Sequence, residues 1–309
     1  MKRYYFAPME GITGPIYRKT HQTYFPGADK YFMPFCSPRQ DHTFTRRELS
    51  GLLPEHNEGV PAVPQLLTRN AQDFLWAAGE LAAMGYQEVN LNLGCPSGTV
   101  VSKGRGAGFL ADLLALERFL DVIFEKSPCE ISIKTRIGVE DVEEFPDILK
   151  LLNRYPVKEL IIHPRTRREF YRGIPHRDAF LYACRHSGNP LCYNGDVTCR
   201  EDLEWLEGSV MIGRGFLARP GFCGNARRKA DDGDQAALKA FVGELLDRYR
   251  EVMSGDIHAL HKMKELWIYL APHFTNYEKY LKKIKKTNKM GEYLVTVERL
   301  FGEQSLGSV

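Results

Sequence analysis

Cys95 sits in Gly94-Cys95-Pro96, directly after the run Glu88-Val89-Asn90-Leu91-Asn92-Leu93. Valine and leucine alternate there with asparagine, which is the period of a short strand. Gly94 and Pro96 stop that strand, so the sequence predicts a thiol on a tight turn just past a strand's carboxyl end. In α/β proteins reactive groups are displayed on that edge. The glycine-rich run Gly104-Arg105-Gly106-Ala107-Gly108 follows closely. Asparagines, thiol and glycines crowded into one loop point to a functional cysteine rather than an inert buried one.

Further polar clusters recur at the ends of apolar segments. Pro8-Met9-Glu10-Gly11 follows the first, Gln65 lies within the third, and Asn92 and Cys95 close the fourth. Lys134-Thr135-Arg136 closes the fifth, His163-Pro164-Arg165-Thr166-Arg167 the sixth, Asn194-Gly195-Asp196 the seventh and Gly213-Arg214-Gly215 the eighth. Gly195, Gly213 and Gly215 would let backbone N–H groups approach a phosphate closely, and Arg214 would add a charged donor. Lys134 ends a strand built on Ile131 and Ile133, a suitable place for a cation that serves a bound ring.

The elements that would position these groups alternate. Strands are expected at residues 4–7, 31–35, 62–66, 89–93, 130–134, 159–162, 190–193 and 209–212. Helices are expected at 71–84, capped by Asn70, from about 108 to 126, and at 144–155. Eight strands, each followed by helix or helix-length sequence, spell an α/β fold of the (β/α)8 TIM-barrel type, with the polar clusters on its carboxyl-end face. An open doubly wound sheet is the competing arrangement. Past Asp231-Asp232-Gly233-Asp234 the pattern is helical throughout, which suggests a barrel domain over residues 1–230 and a small all-α domain over 231–309. That tail carries Lys262, Lys264, Lys279, Lys282, Lys283, Lys285, Lys286 and Lys289, with Trp267, Tyr269, Phe274, Tyr277 and Tyr280 interleaved. Such a pattern suits lysines that track phosphates and aromatics that stack on bases.

Composition narrows the class. With 309 residues, 43% hydrophobic and 26% charged, the chain has material for a large soluble core. A net charge of +3 does not by itself announce a nucleic-acid partner, so any such surface must be local. The cysteines number seven, are scattered and form no C-x-x-C, which argues against a disulfide framework or zinc site and for a reducing cytoplasm. No bound metal is expected, and no run is apolar enough for a signal peptide or a membrane span.

In the order and identity of its motifs the chain resembles the tRNA-dihydrouridine synthase family. The matching residues are Ala7-Pro8-Met9 with Gly11 and Thr13, Gln65, Asn92-Leu93-Gly94-Cys95-Pro96, Lys134-Thr135-Arg136, His163 with Arg165-Thr166, Asn194-Gly195-Asp196 and Gly213-Arg214-Gly215. Gly14, Pro164 and Pro175-His176 depart from the family's usual residues. The resemblance implies an FMN enzyme, with NADPH as electron donor, that reduces a uridine of tRNA to 5,6-dihydrouridine. By carry-over, Pro8, Met9, Gln65, Lys134, His163, Asn194, Gly195, Asp196, Gly213 and Arg214 are the expected FMN contacts. Asn92, Arg136, Arg165 and Arg167 are the expected substrate contacts, and Cys95 the proton donor. The implied partner is tRNA, bound by a monomer.

The chemistry suits these residues. Saturating the C5=C6 bond of uracil takes a hydride, here from flavin N5, and a proton. A thiol of ordinary pKa, about 8.5, is mostly protonated at neutral pH and can serve as the acid. Two alternatives remain at this level: an FMN barrel acting on a free dihydroorotate- or dihydropyrimidine-type molecule, and a non-catalytic RNA-binding module. The first leaves the basic tail without a purpose, and a colourless protein that cannot take up FMN would favour the second.

Overall fold

The computed structural model describes residues 2–222 and 235–307, which form two compact units. The first comprises Met1–Pro8, Asp29–Asp196 and Trp205–Ile212. It holds nine strands: β1 (Arg3–Phe6), β2 (Lys30–Phe32), β3 (Ala62–Val63), β4 (Gln65–Leu66), β5 (Glu88–Leu93), β6 (Glu130–Arg136), β7 (Leu160–His163), β8 (Leu191–Tyr193) and β9 (Ser209–Ile212). All pair in parallel, in the order β3-β2-β1-β9-β8-β7-β6-β5-β4. The two outermost strands of that order are consecutive in the chain, so the ring closes through residues 62–66. Tyr31 pairs with Ala62 on one side and Gln65 with Asn90 on the other. The expected third strand is divided because Pro64 has no N–H to donate, although its carbonyl still accepts from the Asn90 N–H at 2.8 Å. The fold is the eight-stranded TIM barrel with its third strand broken once.

β5 shows why the chain folds this way. Both of its faces are buried. Alternation puts Val89, Leu91 and Leu93 on the outer side and Glu88, Asn90 and Asn92 on the inner side. The barrel interior is layered. At the amino ends Lys30 Nζ meets Glu88 at 2.7 Å and Glu159 at 3.8 Å, and the Tyr5 hydroxyl donates to Glu159 at 3.1 Å. Tyr5, Ala7, Phe32, Val63, Ile161, Cys192 and Met211 pack the middle. Amides and Lys134 lie toward the carboxyl ends.

The surrounding helices begin at recognisable caps. Asn70 Oδ1 accepts from the Gln72 and Asp73 N–H groups to start the helix Ala71–Ala83. The helix expected from about residue 108 starts later, at Leu113–Lys126, because Asp112 caps it and Gly106–Ala111 forms a 3-10 turn. Phe145–Leu152 and Arg177–His186 follow β6 and β7. After β8 the chain makes only the short turn Glu201–Leu203, so that strand lacks an α-helix of its own.

The second unit comprises Met9–Ala28, Val197–Glu204 and Gly213–Val309. Its helices are Pro15–Tyr24, Arg214–Ala218, Gln235–Val252, Asp256–Leu270, Glu278–Lys286 and Met290–Glu303. The expected boundary at 230/231, like Cys223, lies outside the described residues. Phe241 meets the rings of Tyr17 and Phe25 edge-on at 5.8 and 5.3 Å. His21 is buried beside them, its Nε2 3.0 Å from the Pro220 carbonyl, and burial pushes its pKa down to about 3. The Trp267 indole N–H donates to the Tyr293 hydroxyl at 2.8 Å. Here the tail departs from expectation. Trp267, Phe274 and Tyr280 are core residues rather than stacking platforms, because three helices need them to fill the space between. The lysines remain outside. Lys282, Lys283, Lys285 and Lys286 are exposed on the helix Glu278–Lys286 and form no ion pair among the described residues.

Candidate active site

Cys95 stands immediately beyond β5, as the turn residues require, with its thiol at intermediate exposure. Asn92 sets its backbone. Asn92 Oδ1 accepts from the Gly94 N–H at 3.0 Å and from the Cys95 N–H at 2.9 Å. On its other side Asn92 Nδ2 donates to Gln65 Oε1 at 2.7 Å, and Gln65 Nε2 donates to Asn90 Oδ1 at 2.8 Å. Asn90 Nδ2 in turn donates to Ser132 Oγ at 2.9 Å. The expected residues Gln65 and Asn92 are therefore brought together with Cys95, and Asn90 and Ser132 complete a chain that was not anticipated. Gly106 bounds the cysteine from the loop side. Its φ is +56°, and a Cβ there would fall 2.8 Å from the Cys95 carbonyl oxygen and 3.0 Å from the Cys95 Cβ.

Lys134 lies on the inner face of β6, half-buried, with the paired residue Asn92 beside it in register. It makes no hydrogen bond or ion pair among the described residues. Burial, and then the neighbouring Arg136 guanidinium, pull its ammonium down to about 8, against smaller opposing effects of Cys192 and Cys95. A charge this costly without a protein partner fits a group that a ligand completes. Arg136 differs. It is buried, its Nε donates to the Gly94 carbonyl at 2.9 Å, its Nη1 donates to the Thr166 carbonyl at 2.7 Å, and it lies over the Tyr171 ring. It ties the cysteine turn to the loop after β7.

That loop is organised by Arg165, which is fully buried. Its guanidinium grips Asp196 with two bonds, Nη1–Oδ1 at 3.1 Å and Nη2–Oδ2 at 2.6 Å. The same Nη1 lies 3.3 Å from His163 Nε2. A guanidinium only donates, so Nε2 accepts and the proton resides on Nδ1. His163 and Asp196, expected as cofactor contacts, and Arg165, expected as a substrate contact, thus meet one another. Glu169 braces the loop by accepting from the Thr166 N–H at 2.6 Å and pairing with His176 at 2.7 Å. Burial alone would raise the Glu169 carboxyl, but these bonds hold it below its ordinary value. The brace leaves Tyr171 and Ile174 outside, 55% and 82% exposed. Arg167 packs over Phe170, with its Nε buried and without a hydrogen bond among the described residues.

Asn194 is buried and spends its Nδ2 on the Met211 carbonyl at 2.8 Å. Gly195 is a glycine for a reason the sequence did not show: a Cβ there would lie 2.0 Å from the Tyr193 hydroxyl. Its N–H makes no hydrogen bond among the described residues. Pro8 follows β1 in the first unit and is half-buried. Met9, Gly213 and Arg214 belong to the second unit. There the Met9 N–H donates to Thr13 Oγ1 at 2.9 Å, and Gly213 precedes the short helix Arg214–Ala218 with Arg214 exposed. Motif reading gave Asn90, Ser132, Gly106 and Tyr171 no role of their own, although it counted Asn90 and Gly106 in the crowded surroundings of Cys95. The signal for the first two was their parity, since Asn90 shares a strand face with Asn92 and Ser132 shares one with Lys134.

Among the described residues no group of three or more His, Cys, Asp or Glu is placed to hold a metal ion, and no helix is long and apolar enough to cross a membrane.

The family model described as dihydrouridine synthase (Dus) matches residues 5–305. A protein of Staphylococcus epidermidis named probable tRNA-dihydrouridine synthase is 25% identical over 283 residues, covering 85% of this chain and 83% of the relative. A tRNA-dihydrouridine(16) synthase of Cupriavidus necator is 29% identical over 231 residues, 71% of this chain and 72% of the relative. Among solved structures, a morphinone reductase variant in complex with tetrahydroNAD superposes with a TM-score of 0.51 at 13% identity, covering 76% of this chain and 90% of its own. A variant of NCR from Zymomonas mobilis gives 0.50 at 15% identity, covering 74% and 87%. Both share the fold. The family match runs from the first strand to the last helix, and the thiol it encloses sits where a barrel displays its chemistry, so the chain belongs to the dihydrouridine synthase family and is an oxidoreductase.

Proposed function

We propose that this chain reduces a uridine of tRNA to 5,6-dihydrouridine, with FMN bound at the carboxyl end of the barrel and NADPH as electron donor. The observation that carries the reading is Cys95, whose backbone at the end of β5 is fixed by the Gly94 and Cys95 N–H groups donating to Asn92 Oδ1, in a chain whose family match spans nearly its full length. The residues fit a flavin. Lys134 offers an ammonium that no described protein group pairs with, which suits the electron-rich edge of the ring. The Gly195 N–H offers a donor for a phosphate. Gln65, His163, Asn194 and Pro8 would complete the first unit's share of the contacts, with Asp196 held ready by Arg165. Bound FMN would supply the hydride for uracil C6.

The chain's own residues do the rest. Cys95 Sγ holds the proton that passes to uracil C5 as the double bond is lost. Asn92 and Gly106 fix the cysteine backbone, so the thiol does not have to be ordered at each turnover. The uridine must leave its RNA stack to reach a barrel mouth, at a cost of a few kcal/mol. Tyr171, 55% exposed with Arg136 against its ring, would present aromatic surface to a base. In the second unit, Lys282, Lys283, Lys285 and Lys286 form a phosphate-tracking surface.

The test is a yellow, FMN-loaded protein assayed on unmodified tRNA with NADPH. Cys95→Ala should keep its flavin and its tRNA affinity while losing roughly a hundredfold or more of the rate, the usual worth of a general acid. Undiminished dihydrouridine formation by C95A would remove the thiol from this role, and efficient turnover of free uracil would overturn tRNA as the substrate.

A further inference from the structure

We propose that Asn90 is a positioning residue for Cys95: its side-chain oxygen is the terminal acceptor of a buried amide chain that ends on the cysteine's own N–H. The proposal rests on Cys95 being the acid. Four side chains from three strands take part, Ser132, Asn90, Gln65 and Asn92, in contacts of 2.7–2.9 Å. Asn90 is the direct register partner of both Gln65 and Ser132. Gln65, Asn90 and Ser132 are fully buried and Asn92 nearly so, so water cannot replace a missing partner.

The order of the chain does not depend on how the amide atoms are assigned. The Gly94 and Cys95 N–H groups can only donate, so the Asn92 atom facing them must be oxygen. Asn92 then turns its NH2 toward Gln65, which must answer with oxygen. Gln65 therefore turns its NH2 toward Asn90, which must answer with oxygen in its turn. Asn90 is left with an NH2 to give, and Ser132 can accept it. The serine hydroxyl can donate or accept, so it imposes no order. The Asn90 oxygen is the last obligatory acceptor. Without it the buried Gln65 NH2 has no acceptor, and any shift of Gln65 that finds one is made at the expense of its bond to Asn92. Asn92 is then held only by the Gly94 and Cys95 N–H groups, and the cysteine turn loses its anchor in the barrel interior. On its other side the Cys95 carbonyl accepts from the Ala107 N–H at 3.1 Å, a bond that does not depend on Asn92.

Two substitutions separate this role from packing. Asn90→Asp keeps an acceptor toward Gln65, and the Ser132 hydroxyl can rotate to donate to the other oxygen. Asn90→Leu has similar bulk but offers nothing to either neighbour. The first readout is single-turnover dihydrouridine formation in the FMN-loaded enzyme. N90L should be slowed by about tenfold or more, the effect of one buried hydrogen bond, with flavin content and tRNA affinity unchanged, while N90D stays within about twofold of the native rate. The second readout is the rate of iodoacetamide alkylation at Cys95 in FMN-free protein, followed on the Cys95 peptide by mass. N90L should raise it severalfold and N90D should not. If N90L does not fold, Asn90→Ala carries the same comparison. Equal losses in N90D and N90L would assign Asn90 to packing, and unchanged rates in both readouts for N90L would overturn the proposal. Alkylation reports the hold on the cysteine whatever chemistry the thiol performs. An inactive role for Cys95, shown by C95A, is therefore distinguishable from a failure of the positioning chain.

Discussion

Lys134 should weaken the protein that carries it, and replacing it with methionine measures by how much. Folding places its ammonium half-buried beside Arg136, and its pKa falls from 10.5 to about 8. At 1.36 kcal/mol per pH unit, that shift opposes folding by about 3 kcal/mol. The sign sets the pH window. Below pH 8 the lysine is protonated in both states and the whole cost is present. Between about 8 and 10.5 the unfolded chain holds a proton that the folded chain has released, so stability rises with pH and the cost disappears. FMN-free Lys134→Met should therefore be more stable than the native chain by about 3 kcal/mol at pH 7, and the advantage should shrink steadily above pH 8. Urea unfolding followed by tryptophan fluorescence at pH 7 and about pH 9.5, with equal denaturant slopes, reads this directly. On the proposed function the same variant should also lose FMN affinity. A variant no more stable at pH 7, or a gain independent of pH, would refute the reasoning.

Other consequences are equally direct. Lys30→Met should destabilise by about 1–3 kcal/mol in chemical denaturation, because Glu88 loses its 2.7 Å partner at the amino end of the barrel and keeps only Lys158 at 4.0 Å, while Glu159 keeps Arg3 at 3.4 Å; an unchanged midpoint would show that water reaches them. Gly106→Ala should slow dihydrouridine formation more than it lowers thermal stability, since its Cβ would collide with the Cys95 carbonyl in a left-handed backbone; native kinetics would free the cysteine from that constraint. Replacing Lys282, Lys283, Lys285 and Lys286 together with glutamine should weaken tRNA binding and flatten its salt dependence by about one unit of slope for each phosphate no longer neutralised, while the rate in saturating tRNA stays native. An unaltered salt slope would place the tRNA surface elsewhere.

How much was legible in the sequence depended on whether the signal was local. The cysteine turn was, because Gly94 and Pro96 end a strand by backbone sterics alone. So was the helix start at Asn70, where an amide oxygen answers two nearby N–H groups. Eight strands with polar residues at their carboxyl ends implied a barrel, and Ser209–Ile212 lies where the apolar run put it. The split at Pro64 was not read, since residues 62–66 were expected as one strand, although its cause is one residue's missing donor.

Contacts between strands could not be read. β5 alternates polar and apolar residues as a surface strand does, yet both of its faces are buried, because closure of the ring turns the polar face inward. Whether Arg165 would serve a substrate or Asp196 depended on two loops 31 residues apart meeting over β7 and β8. Trp267, Phe274 and Tyr280 looked like stacking surfaces because helical spacing does not say which face other helices cover. By itself the sequence determined which chemistry was available, a thiol, a lysine and amides at strand ends, since residue type and local turn geometry suffice for that. Only the tertiary structure decided which amide faces which, because hydrogen-bond order is a property of neighbouring strands in register and is written in no single stretch of the chain.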